Sequence, residues 1–321
     1  MTNRRTLVLL LLAALLAACT PATPSEVPNA STSSSVATAP PPAPTVAPTV
    51  PPATSPPSPV PASPLVQPTS VPAGDGVVEA WAILAQKDNY DDVGMTNLPV
   101  DYAGIVQLRE LLDGFGWPAE HILELREFDW PVLEEGLVWL AQEADADDLV
   151  LVYVAAHGMY LKRVLVWAEF FPPVWNAIPS HRQVLLIDSC QAADYTSAIL
   201  IDPEPFVAVA AVAGDEYGWS GLPEEGLPII GGVFTHYFVA AFDETAADVD
   251  GNGYVSVQEA SLWAEAEQRT YMHEVVFAVP EFREMYTELP NPGLVKDPNF
   301  PDVVVDDTIG EPVYLAPEAY R

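Results

Sequence analysis

Three apolar runs constrain the fold of this chain more than any other feature: DLVLVYVAA over 148–156, QVLLID over 183–188 and FVAVAAV over 206–212. A strand with one wet face alternates apolar and polar side chains, but these runs are apolar at nearly every position. They are also too short for membrane-spanning helices. Rich in Val, Leu and Ala and bounded by polar residues, they predict central parallel strands covered on both faces. A further buried strand is expected over 77–86 and a short one over 122–125. Helices are expected over 102–112, stopped by Gly114 and Gly116, and over 132–144, with Leu133, Leu137 and Leu140 on one face. Strands alternating with helices define one α/β domain over 76–321. In such sheets, ligand and catalytic groups lie just past the carboxyl ends of the strands.

The residues before this domain have a different character. Arg4 and Arg5 precede an apolar stretch over 6–18 that is too short to span a bilayer and ends in Leu16-Ala17-Ala18-Cys19. This pattern resembles the lipobox of bacterial lipoproteins. The resemblance implies a signal peptide over 1–19, lipidation of Cys19, and a lipid-anchored protein on the extracytoplasmic face of a bacterial cell membrane. Residues 20–75 are mostly Pro, Thr, Ser, Ala and Val, with Glu26 and Asp75 the charged exceptions. Little apolar surface is available there to offset ordering entropy, so a disordered, partly polyproline II linker is expected.

Charge narrows the partners. With 12 Lys+Arg against 45 Asp+Glu, the net charge is -33. Nucleic acid is excluded as a partner, since phosphate binding needs clustered cations. Electrostatic docking on anionic lipid is disfavoured for the same reason. Two cysteines cannot staple a scaffold. With Cys19 lipidated, Cys190 is the one thiol left, and an exported protein retains such a group when it is used or deeply buried.

Two strand ends carry the residue types of nucleophilic catalysis: Ala155-Ala156-His157-Gly158 and Ile187-Asp188-Ser189-Cys190-Gln191-Ala192. A Cys and a His at neighbouring strand ends can act as nucleophile and base. A glycine after the His lets a carbonyl approach the backbone, where an N–H can stabilise an oxyanion. The simpler alternatives are a small core cysteine and a structural histidine. The absence of G-x-S-x-G argues against a serine hydrolase.

The pair His157-Gly158 and Asp188-Ser189-Cys190 resembles the caspase-like cysteine peptidases, which include caspases, metacaspases, legumains and bacterial relatives. Asp-Ser-Cys is similar to the metacaspase nucleophile motif, and Cys190-Gln191-Ala192 is closer to the legumain-like branch. Gly232-Val233-Phe234-Thr235 resembles a stretch of bacterial members at the start of a late helix. The sequence departs from the family in lacking Q-A-C-x-G. Its His-to-Cys separation of 33 residues is also shorter than the ~50 of caspases.

The resemblance implies a three-layer α/β sandwich with a mostly parallel central sheet. His157 would be the base, Cys190 the nucleophile, and the N–H groups of Gly158 and Cys190 the oxyanion hole. It further implies that Asp101 and Asp188 bind a basic P1 side chain of a protein or peptide substrate. Asn or Asp at P1 remain rivals, and Asp188 and Asp101 could instead cap local turns. Tyr217-Gly218-Trp219-Ser220-Gly221 is either a pocket wall or an ordinary aromatic turn.

Residues 248–259 fit the twelve-residue EF-hand pattern. Asp248, Asp250 and Asn252 occupy positions 1, 3 and 5, and Gly253 occupies the turn position 6. Tyr254 offers its carbonyl at 7, Ser256 sits at 9 and Glu259 at 12. Ca²⁺ is the cofactor this predicts, between helices over 235–242 and 257–267. The segment 281–321 shows little periodicity. Two alternatives to a peptidase stay open: an inactive Ca²⁺-binding surface module, and a legumain-like transpeptidase.

Overall fold

A computed structural model of the chain describes residues 74–163, 167–199 and 205–320. The expected linker over 20–75, the signal segment and Cys19 lie outside the described residues, apart from positions 74 and 75. Eight strands are described: β1 (Ala80–Gln86), β2 (Ile122–Arg126), β3 (Leu149–Ala155), β4 (Arg182–Asp188), β5 (Phe206–Ala210), the two-residue strands β6 (Ser220–Gly221) and β7 (Gly231–Gly232), and β8 (Val304–Asp307). The principal helices are α1 (Ala103–Gly114), α2 (Trp130–Glu143), α3 (Gly158–Arg163), α4 (Trp167–Trp175), α5 (Ala193–Thr196), α6 (Val233–Ala240), α7 (Val257–Tyr271) and α8 (Pro280–Thr287).

Six strands form one sheet in the order β2-β1-β3-β4-β5-β8. The first five are parallel, and β8 joins antiparallel to β5 at the edge. Every residue of β1, β3 and β5 is buried, as their continuous apolar character requires. Helices cover both faces. On one face, Gly104 of α1 closes on Tyr153 of β3 and Gln86 of β1, while Gly136 of α2 closes on Ile83, Leu123 and Leu125. Gln86 and Ile83 are three residues apart on one strand, so they point to opposite faces. The architecture is therefore α/β, with a mainly parallel mixed sheet between helical layers.

Local sequence explains the helix starts. Asp129 caps α2 by accepting the Val132 N–H at 3.2 Å, with Pro131 in the first turn. Ser256 and Glu259 form a capping box at the start of α7. The segment expected to be irregular over 281–321 contains both α8 and β8. The β8 strand is a half-buried edge strand ending in Asp306-Asp307, too short and too mixed in polarity to carry a period-2 signal. Around Trp219, Phe277, Phe282, Tyr286 and Phe300 this C-terminal part builds a second apolar cluster.

Chain order determines where a ligand can enter. After β1 the chain steps outward to β2, then returns to the other side of β1 as β3. The crevice past the carboxyl ends of β1 and β3 is the topological switch point of the sheet.

Candidate active site and acidic loop

In the β3–β4 pairing, Ala155 lies opposite Asp188. His157 and Cys190 each follow two residues later, so they leave adjacent parallel strands at equivalent steps. Both line a cleft at the switch point, together with Asp188, Asp88, Tyr153 and Glu225.

His157 is held on three sides. Its backbone N–H donates to Tyr90 Oη at 2.8 Å, and the Tyr90 ring lies against the imidazole with centroids 4.5 Å apart. Its Nε2 lies 2.9 Å from the Thr96 carbonyl. A carbonyl only accepts, so the proton sits on Nε2 and the lone pair on Nδ1. Burial to 5% exposure pushes the imidazole pKa below its ordinary value, outweighing the Thr96 carbonyl, which favours the cation. The ring is therefore neutral at pH 7, as a base requires.

Cys190 is partly accessible and follows the strand on a tight turn. Gln191, next in the chain, has φ 57°, in the left-handed region that costs a non-glycine residue ~1 kcal/mol or more. Its N–H donates to the Glu216 carbonyl at 2.8 Å, which ties the turn down. Gly158 does not line the cleft. It packs behind Cys190, where a Cβ would stand 2.4 Å from the Cys190 carbonyl oxygen. Only glycine permits that approach of the two strand-end turns.

Of the two expected acidic groups, Asp188 lines the cleft and Asp101 does not. Asp101 is exposed with φ 53°, at the outer entrance to α1. After β1 the chain makes a closed loop, held by Tyr90 N–H to Asn97 Oδ1 at 2.6 Å and Leu98 N–H to the Asp88 carbonyl at 2.8 Å. That excursion carries Asp101 away from the strand end. Asp88, two residues past β1, takes its place in the cleft at 7% exposure. Its Oδ2 accepts the Tyr102 N–H and its Oδ1 the Gln86 amide, both at 2.8 Å. Burial raises the Asp88 carboxyl, against those hydrogen bonds, and the charges of Glu127 and Asp101 raise it further. The strand-end rule applied to β1, as to β3 and β4, would have found Asp88.

Lys87 is the one cation lining the cleft among the described residues. Its Nζ is paired with Asp92 at 3.3 Å and Glu127 at 3.5 Å, so the cleft presents net negative charge. Tyr217, Gly218, Trp219 and Ser220 form one wall, which settles the aromatic segment as a pocket wall rather than a plain turn. Met285 and Tyr286 of α8 complete it from the C-terminal segment. No periodicity or motif in that segment signalled their part in the site.

The acidic loop is separate. Carboxylate oxygens of Asp248, Asp250 and Glu259 lie within 4.8 Å of one another. Asp248 accepts the N–H groups of Gly251, Asn252 and Gly253, at 2.9, 3.1 and 2.9 Å. Gly251 and Gly253 have φ 72° and 91°, the reason for glycine at both places. Glu259 accepts the Val249 and Asp250 N–H groups through Oε1 and the Ser256 N–H and hydroxyl through Oε2. Burial pushes its carboxyl up, but these donors win and its pKa is lowered. Asn252 reaches Tyr314 Oη at 2.9 Å, and the Tyr254 side chain packs against the Tyr314 ring. The carboxylate donors are hard oxygens, a set that suits hard divalent cations in general.

No family model matches this chain, and no curated protein matches it.

Proposed function

We propose that this protein is a cysteine endopeptidase of caspase-like architecture. The observation that carries the reading is the register of β3 and β4: it delivers a neutral His157 and an accessible Cys190 to one cleft at the switch point. In the proposed reaction Nδ1 of His157 removes the Cys190 proton, and Sγ attacks the scissile carbonyl. The N–H group of Cys190 holds the oxyanion; Gly158, expected to share that role, lies behind Cys190 and outside the cleft. The imidazolium then protonates the departing amine, leaving a thioester that water hydrolyses with His157 again as base.

The acidic cleft supports a basic P1 residue, with Asp88 and Asp188 as its partners in place of Asp101 and Asp188. For the loop over 248–259, the hard-oxygen donor set supports Ca²⁺ binding, with Asp248, Asp250, Asn252, Tyr254, Ser256 and Glu259 as ligands. Bound Ca²⁺ would join the end of α6 to the start of α7. Sequence alone supports attachment to the extracytoplasmic face of a bacterial membrane through Cys19; among the described residues no helix is long and apolar enough to cross a membrane.

The test is cleavage of a peptide panel with Arg, Lys, Asn and Asp at P1, by the protein and by Cys190→Ala. Cleavage after Arg and Lys that falls by about 10³-fold or more in Cys190→Ala is expected. Equal cleavage by both proteins would sink the proposal.

A further inference from the structure

We infer that Gly232 and Thr235 are positioning residues that aim the Asp188 carboxylate at a cationic substrate side chain. The inference takes its substrate from the reading above, and its geometry from the structure alone. The stretch Gly232-Val233-Phe234-Thr235 has no part in the dyad. It lies where β7 passes into α6, with Gly232 in the cleft wall.

Thr235 donates twice to one oxygen. Its backbone N–H reaches Asp188 Oδ2 at 3.2 Å and its hydroxyl reaches the same atom at 2.5 Å. Tyr153 Oη lies 3.0 Å from Thr235 Oγ1. The single Thr235 hydroxyl proton goes to the carboxylate, so Tyr153 is the donor in that second contact. The chain of donors runs one way, Tyr153 to Thr235 to Asp188. Tyr153 is itself pinned, because a Cβ on Gly104 would stand 2.1 Å from its hydroxyl.

Gly232 presses on the same carboxylate. A Cβ there would lie 2.0 Å from Oδ2 and 2.8 Å from Cγ, so even alanine would displace it. Among the described residues, every hydrogen bond to this carboxyl falls on Oδ2, and Asp188 lines the cleft. Oδ1 is left for a ligand. A carboxylate held by the N–H and the hydroxyl of Thr235, at a helix N-terminus, is oriented before the ligand arrives, which lowers the cost of binding.

Burial raises the Asp188 carboxyl above its ordinary value, and the two Thr235 donors offset only part of that rise. The titratable or charged groups around it are Tyr153 on β3, Lys87 and Asp88 past β1, His157 past β3, Cys190 past β4 and Glu225 between β6 and β7. None of these changes in Thr235→Val, which removes one hydroxyl and keeps the N–H and the shape.

The experiment uses argininamide binding by calorimetry and carbon-13 titration of the aspartate carboxyls, in the Cys190→Ala protein. Asp188 is assigned by the signal lost in Asp188→Asn. Thr235→Val is expected to weaken argininamide binding about tenfold, the scale of one hydrogen bond to a charged group, and to move the Asp188 titration to higher pH. Thr235→Ser should restore both. Tyr153→Phe should give a smaller change in the same direction, and serves if Thr235→Val fails to fold. In active protein, Thr235→Val should raise KM for Arg at P1 more than it lowers kcat.

Unchanged binding and an unchanged Asp188 titration in folded Thr235→Val and Tyr153→Phe would overturn the inference. Failure of the unsubstituted Cys190→Ala protein to bind argininamide would overturn its cationic-ligand half. Argininamide binding that depends on Thr235, in a protein that cleaves no peptide, would support the inference while refuting the peptidase.

Discussion

The acidic loop and the cleft are built in opposite ways. All the candidate ligands of the loop come from twelve consecutive residues, and its hydrogen bonds run mostly within that stretch. The cleft draws on residues from Gln86 to Tyr286, brought together by the ends of β1, β3 and β4, the β6–β7 pair and α8. A contiguous loop carries its geometry in its own turn glycines and donors. A dispersed site borrows its geometry from the sheet, so each of its residues depends on packing elsewhere.

Substitutions at the cleft carboxyls test that dependence with the largest effect. Asp88→Asn and Asp188→Asn should each raise KM for peptides with Arg at P1 by ~10- to 100-fold, since each removes a charge-assisted contact. Asp101→Asn should change KM less than about twofold, because Asp101 is exposed outside the cleft. A larger effect at Asp101 than at Asp88 would return the specificity to the position the sequence suggested.

A middle-sized effect is expected at the loop. Ca²⁺ at about 100 times its Kd should stabilise the protein by about 2.7 kcal/mol, which raises the melting temperature by ~5–10 °C. Glu259→Gln should abolish that rise while leaving KM within about twofold. α6 carries Thr235 at its start and leads to the loop at its end. A rise in KM in Glu259→Gln would show that the two regions communicate along this helix, and would break the contrast drawn between them.

The smallest effect is a slope of stability with pH. Burial pushes the carboxyls of Glu216 and Glu225 up to about 7 from an ordinary 4.5. The folded state therefore binds their protons more tightly than the unfolded chain. Their stabilisation is present in full below pH 4.5 and is lost as pH rises towards 7. His157 acts in the other direction: its lowered pKa makes folding less favourable as pH falls below 6.5. With chelator present to silence the loop, Glu225→Gln should flatten the fall in melting temperature between about pH 5 and 7 by a few degrees. An unaltered slope would mean that Glu225 is better solvated than its place in the cleft wall implies.

What the sequence determined by itself is whatever rests on near neighbours in the chain. Continuous apolar runs specify buried parallel strands, because no other short element hides apolar side chains on both faces. Gly253 and Glu259 in register with Asp248 and Asp250 specify the loop. His157 and Cys190 were legible as residues at strand ends, without reference to the packing around them. Tertiary structure alone decided the pairing of β3 with β4, which sets those two residues at equal steps. It placed Asp88 rather than Asp101 in the cleft, through a closed loop with no distinctive pattern. It also brought Thr235 against Asp188, 47 residues away in sequence, and Met285 and Tyr286 to the cleft wall. Periodicity reports which face of an element is buried, whereas the partner on that face is settled by how the elements pack.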